Sequence, residues 1–183
     1  MVAERYDAKV SVVAIGKKAN DALSKNLDII SNQSAVYDDL TFDNVAVIAE
    51  MLMEQFESKA VDKIEIIYNK FKNAATQEIM TEQFLPIEPI EGDTNANLDY
   101  IFEPSKEEIV ETLIPKSLKT QLYKSIRDSF ASEHGARMTA MHKATDNATE
   151  LRDQLKLTYN KARQASITNE ILEIVGGAEA LNG

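Results

Sequence analysis

Cysteine is absent from the 183-residue sequence. Its absence excludes a disulfide framework and any thiolate metal site, and suits a reducing compartment. No apolar run approaches the roughly 18 residues that a transmembrane helix requires. The opening residues Met1-Val2-Ala3-Glu4-Arg5 lack the apolar core of a signal peptide. Any membrane role is therefore expected to be peripheral. Histidine occurs only at His134 and His142. Eight positions apart on one helix, the pair cannot share a metal, which prefers a spacing of four. Positive charge is also short: the net charge of −10 argues against non-specific binding to nucleic acid, which needs a basic surface.

The charge that is present is unevenly spread. Residues 1–114 carry 10 Lys/Arg against 22 Asp/Glu, residues 115–163 carry 10 against 5, and the remainder carries none against 3. A basic helical segment thus follows an acidic domain, a pattern suited to meeting an acidic partner. A hydrophobic content of 44% is enough for the core of one domain with an extension.

Along the chain, "KVSVVAIG" (Lys9 to Gly16) is a β-branched run ending in glycine, and "KKANDALSKN" then places Ala19, Ala22 and Leu23 on one helical face. "LDIISNQSAVYD" offers a second short strand. "FDNVAVIAEMLMEQFES" sets Val45, Ile48, Ala49, Leu52 and Phe56 at helical spacing, with Asp43 as the expected N-cap. "VDKIEIIYNKFK" and "TQEIMTEQFLPI", separated by "NAA", read as two further strands. Strands alternating with helices predict an α/β, Rossmann-like layered domain.

"EPIEGDTNAN" (Glu88 to Asn97) has Pro89, Gly92 and no periodicity, so it reads as an acidic loop or inserted excursion. "YIFEPSKEEIVETLIP" predicts a short strand, then a helix opened by a capping box of Ser105 and Glu108 and ending near Pro115. From Lys116 to Val175 there is no proline and one glycine, Gly135. That stretch predicts helix over roughly 60 residues, about 90 Å at 1.5 Å per residue. The expected domains are therefore an α/β unit at 1–114 and a long C-terminal helix at 115–183.

A helix of that length needs a partner, because an isolated one gains little beyond propensity. From Arg137, spacings of four and three pick out Met141, Ala144, Ala148, Leu151, Leu155, Thr158, Ala162, Ala165, Asn169 and Leu172 as a heptad seam. Many of these residues are small. They permit close helix approach but bury little area, so the seam alone is a weak dimeriser at ~25 cal/mol per Å². A specific neighbour on another chain is expected.

Little in the sequence suggests chemistry. "GKKAND" resembles a phosphate loop only superficially, since two glycines followed by Lys and Ser/Thr are missing. Glu107, Glu108 and Glu111 fall on a helix's first turns, where carboxylates favour the dipole. No nucleophile has an evident base, and no cofactor is expected.

The pattern Ile167-Thr168-x-Glu170-x-x-Glu173-x-x-x-Gly177-Ala178 resembles the signature of the γ subunit of F-type ATP synthase. "YIFEPS", "SEHGARMTAMHKATDNA" and "LTYNKARQASITNEILEIVGGAEAL" are similar to that family in order and spacing, as is "VDKIEIIYNKFKNAATQE", and the likeness covers essentially the whole chain. The resemblance implies a rotor subunit that couples proton-driven rotation to ATP synthesis on other chains. Its long C-terminal helix would form the coiled-coil half of a central shaft inside the α and β subunit ring. Its α/β foot would meet ε and the membrane c-ring, at the cytoplasmic face of a bacterial inner membrane or the matrix face of a mitochondrial one. It implies no catalysis in this chain. Arg163 and Gln164 match positions that contact an acidic loop of β, where a guanidinium makes charge-assisted bonds. Thr168, Glu170 and Arg137 match positions of α/β–γ coupling or its support.

The family's N-terminal helix and first strand would precede Val2, so the resemblance also implies a fragment. Unpaired surfaces are then expected to cause self-association, or a break near Gly135 that lets the helix fold back, with pairing between chains favoured. The alternative reading from another class is an α/β nucleotide- or small-molecule-binding domain with a helical tail. A coiled-coil adaptor is disfavoured, because its seam would hold more Leu and Ile.

Overall fold

The computed structural model describes residues 10–87, 102–103 and 105–182. The acidic excursion at 88–97, and most of the short strand expected ahead of Ser105, lie outside the described residues. The element order is β1 (Ser11–Ala14), α1 (Lys17–Leu23), β2 (Asp28–Asn32), a 3-10 turn (Ser34–Tyr37), α2 (Phe42–Glu57), β3 (Ile64–Asn73), β4 (Thr76–Leu85) and α3 (Lys106–Asn182). This is the expected α/β arrangement followed by a long C-terminal helix. The chain divides into two compact units. One comprises Met1–Lys72 with Gln77–Ser132, and the other Asn73–Thr76 with Glu133–Gly183.

In the first unit β1 and β2 pair in parallel, joined by α1, because parallel neighbours need a crossover connection. Val12 pairs with Ile29 and Val13 with Ser31. Ile30 is thus the extra residue of a bulge and is half exposed. Gly16 turns the chain from β1 into α1 at φ 118, with the Tyr37 ring 3.6 Å from where a Cβ would stand. Only glycine adopts that backbone without strain. α1 buries none of its residues, so the face of Ala19 and Ala22 remains in solvent.

α2 buries Val45, Ile48 and Ala49, the residues its spacing selects, with Leu52 and Phe56 packed at the margin. Its N-cap is Thr41, whose side chain accepts from the backbone N–H of Asn44, while Asp43 sits in the first turn. The expected cap is therefore shifted by two residues. Both residues can cap, but Thr41 is the one in extended backbone just outside the helix. α2 ends with Lys59 at φ 58 and the N–H of Ala60 donating to the carbonyl of Gln55 at 3.1 Å. This is a Schellman closure with lysine where glycine is usual.

β3 and β4 are neighbours in a second two-stranded sheet, joined by so short a connection that they form a hairpin. Tyr68 of β3 is buried, and its hydroxyl donates to Glu82 Oε1 of β4 at 2.7 Å. Burial first, then that bond and the charges of Glu82 and Asp128, push the phenol up to about 12. Nearer the tip, Lys72 and Glu78 pair in solvent, raising the lysine and lowering the carboxylate through their hydrogen bond and charges.

α3 opens where the capping box places it: Glu108 N–H donates to Ser105 Oγ at 3.2 Å, and Glu107 and Glu108 fill the first turn. It does not stop at Pro115. The proline lies inside one continuous helix of 77 residues. It forgoes the N–H bond to Glu111 and its ring crowds that residue's carbonyl, yet helix on both sides outweighs this local cost. Nor is there a break at Gly135. Leu118, Leu122 and Ile126 of α3 enter the core of the first unit with Val36, Val45, Ile48, Ala49, Phe84 and Leu85. Each such large side chain contributes about 1.5–3 kcal/mol by burial. Serines and threonines recur along the helix with their hydroxyls bonded back to the carbonyl four residues earlier: Thr112, Thr120, Ser125, Thr145 and Thr158. Near its end Gly176 and Gly177 have no neighbouring atom within 4 Å of where a Cβ would stand.

Candidate partner-contact face

In the second unit, α3 is exposed at every position from Ala136 to Ala180. The heptad seam lies in this stretch, with Met141, Leu151, Leu155 and Leu172 each more than half exposed. Arg137, Arg163, Gln164, Thr168 and Glu170 all lie on the same exposed helix. The helix does not gather them on one face. Arg163 and Glu170 are seven residues apart and share a strip. Gln164 and Thr168, four apart, share another, about a third of a turn round by the helical repeat. Arg137 stands about 39 Å from Arg163 along the axis by the same rise, and its guanidinium pairs with Glu133 one turn back.

Exposed guanidinium, amide, hydroxyl and carboxylate groups spread over two adjacent strips suit contact with another protein surface. They do not build a pocket that could exclude water around a reacting group. The first unit has a shallow groove lined by Gln33, Ala35, Val36, Asn44, Val47, Ile48 and Met51. It carries no ionisable side chain, so it offers no acid or base. Among the described residues no group of three His, Cys, Asp or Glu is placed to hold a metal, and no helix is long and apolar enough to cross a membrane.

Residue patterning does not disclose the hairpin tip. Thr139 Oγ1 donates to the Ala74 carbonyl at 3.0 Å, in the second unit, and the buried Ser132 Oγ donates to the Asn69 carbonyl at 2.9 Å, in the first. The one signal in the sequence is that Ser132, Gly135 and Thr139, small or hydroxylated, share a helix face.

An α/β unit followed by a long, solvent-exposed helix is the class of fold that these elements define. A family model described as ATP synthase matches residues 1–181, and the chain belongs to that family. It is 75% identical over 183 residues to an ATP synthase gamma chain of Flavobacterium psychrophilum, covering 99% of this chain and 64% of that one. It is 73% identical to the gamma chain of Flavobacterium johnsoniae, over 96% of this chain and 62% of the other. A gamma chain of a Geobacter species is 41% identical, with 96% and 62% covered. The chain therefore spans less than two thirds of the length of these relatives. Among solved structures, the fold is similar to a chain of the Euglena gracilis mitochondrial ATP synthase OSCP/F1/c-ring assembly in rotational state 3. The TM-score is 0.63 at 23% identity, covering 98% of this chain and 65% of that one. A chain of the rotor of the same enzyme in rotational state 1 gives 0.58 at 21% identity, with 91% and 66% covered.

Proposed function

We propose that the chain acts as part of the central-stalk rotor of an F-type ATP synthase, coupling proton-driven rotation to ATP synthesis at sites on the β subunits. The observation that carries this reading is the unbroken, exposed run of α3 from Ala136 to Ala180 in a chain whose relatives are ATP synthase gamma chains. Residues 1–114 are then the foot that meets ε and the c-ring. Residues 115–183 are the shaft inside the α and β ring, its first turns rooted in the foot's core through Leu118, Leu122 and Ile126. The role is non-catalytic and peripheral, at the cytoplasmic face of the inner membrane in a bacterium. Polar groups among alanines suit a shaft that meets each β subunit in turn. Their contacts transmit force without the depth of an apolar interface that would stall it.

Arg163, Gln164, Thr168 and Glu170, with Arg137 nearer the root, are the proposed contacts to β and its coupling. The test is Arg163→Ala in an assembled complex. Coupled turnover should fall several-fold while the first unit unfolds as before, because a guanidinium on exposed helix contributes charge-assisted bonds to another chain and nothing to a core. An equal loss of stability in the chain alone would show the role to be internal. The isolated chain should neither bind nor hydrolyse ATP, and steady hydrolysis by a pure preparation would refute the non-catalytic assignment.

A further inference from the structure

The tip of the β3–β4 hairpin groups with the helix and not with its own strands. Asn73–Thr76 belongs with Glu133–Gly183, while the chain up to Lys72 and from Gln77 belongs to the other unit. The tip is shaped from within: Asn73 Oδ1 accepts from the N–H groups of Ala75 and Thr76 at 3.0 and 2.7 Å. It is held from without by Thr139, whose hydroxyl lies 3.0 Å from the Ala74 carbonyl and 3.1 Å from the carbonyl of Gly135 in its own helix. Gly135 is buried, although Glu133, His134, Ala136 and Arg137 around it are exposed. A position without a side chain, one turn before Thr139 on the same face, is what close approach of another backbone requires.

We propose that this tip is a latch, Asn73–Thr76 staying closed on the helix at Gly135 and Thr139 while the protein works. The proposal rests on the rotor reading for its purpose and on the tip contacts for its existence.

The absence of cysteine makes the test clean. In the chain alone, Ala74→Cys with Thr139→Cys should form an intramolecular disulfide rapidly under mild oxidation. Thr139→Val, which keeps the shape and removes the donor, should raise amide hydrogen exchange several-fold at both 73–76 and 133–140. Thr139→Ser, which keeps the hydroxyl, should restore it. Failure to cross-link, or faster exchange on the helix without the tip, overturns the latch whatever the protein does. In an assembled complex, the oxidised double variant should turn over within about twofold of its reduced form. Inhibition reversed by reductant would mean that tip and helix must part during rotation, and would overturn a latch that stays closed. A complex that fails to turn over even when reduced counts against the rotor reading, and the exchange result still decides the latch.

Discussion

Leu122 and Leu155 lie on the same helix and have the same chemistry, yet Leu122 is 2% exposed and Leu155 is 60% exposed. Leu122 belongs to the first unit, where α3 packs with α2 and β4. Leu155 belongs to the second, where α3 runs from Ala136 to Ala180 with nothing buried. One α-helix thus has two sources of stability. Near its root it is held by burial, as most protein helices are. Further on it relies on propensity and on neighbouring pairs such as Glu133 with Arg137. The apolar side chains of the distal part are therefore no core of this chain, and under the proposed rotor role they are the surface that meets a partner.

The largest effect should come from removing a residue on one side of that divide. Leu122→Ala should destabilise the chain by about 2–5 kcal/mol, transfer and cavity costs together. Leu155→Ala should change it by less than about 0.5 kcal/mol. Chemical denaturation of both variants checks this, and equal losses would erase the distinction between the two stretches.

The next effect belongs to the first unit alone. The folded-state pKa of Tyr68 is raised from 10.0 to about 12, so its contribution is complete below pH 10. As the pH rises from 10 to 12 the unfolded chain gives up the proton first, and stability falls. The loss amounts to about 2–3 kcal/mol at 1.36 kcal/mol per unit. Tyr68→Phe should remove this alkaline decline, at a loss of about 1 kcal/mol near neutrality for the missing bond to Glu82. Unfolding curves between pH 8 and 12 would show it; an unchanged slope in the variant would place the cause elsewhere.

The smallest effects lie at the two ends of α2. Thr41→Ala should cost about 1 kcal/mol by removing the cap. Lys59→Gly should gain roughly 0.5–1 kcal/mol by relieving a left-handed lysine. Thermal melts would register both as shifts of opposite sign. If neither moves, α2 is held wholly by Val45, Ile48 and Ala49, and its ends are irrelevant.

Much of this is legible in the residues. Apolar-rich runs mark β3 and β4, and the helical spacing of Val45, Ile48 and Ala49 names the buried face of α2. Two readings of punctuation fail for physical reasons. Pro115 reads as a stop, but its cost, one lost bond and crowding of the Glu111 carbonyl, is local, and helix continues where both flanks favour it. Asp43 reads as the cap, though Thr41, two residues earlier, has the extended backbone that capping needs. The hairpin latch is not legible. Thr139 reaches a carbonyl 65 positions away, and a backbone acceptor leaves no trace in residue identity. For the candidate contacts, periodicity supplies only the exposed helix. The choice of Arg163, Gln164, Thr168, Glu170 and Arg137 comes from resemblance, because a residue that touches another chain has no pattern within its own.

The glycines at 176 and 177 sit in helix with nothing within 4 Å of where a side chain would stand. In exposed helix each is less favourable than alanine by about 1 kcal/mol, and no tight turn or close approach within this chain asks for them. The helix at this pair is therefore held less firmly than at Leu118, Leu122 and Ile126, which the core fastens. In the rotor role proposed above, a helix weakened at that point would bend to fit what surrounds it, much as a flexible coupling does in a drive line.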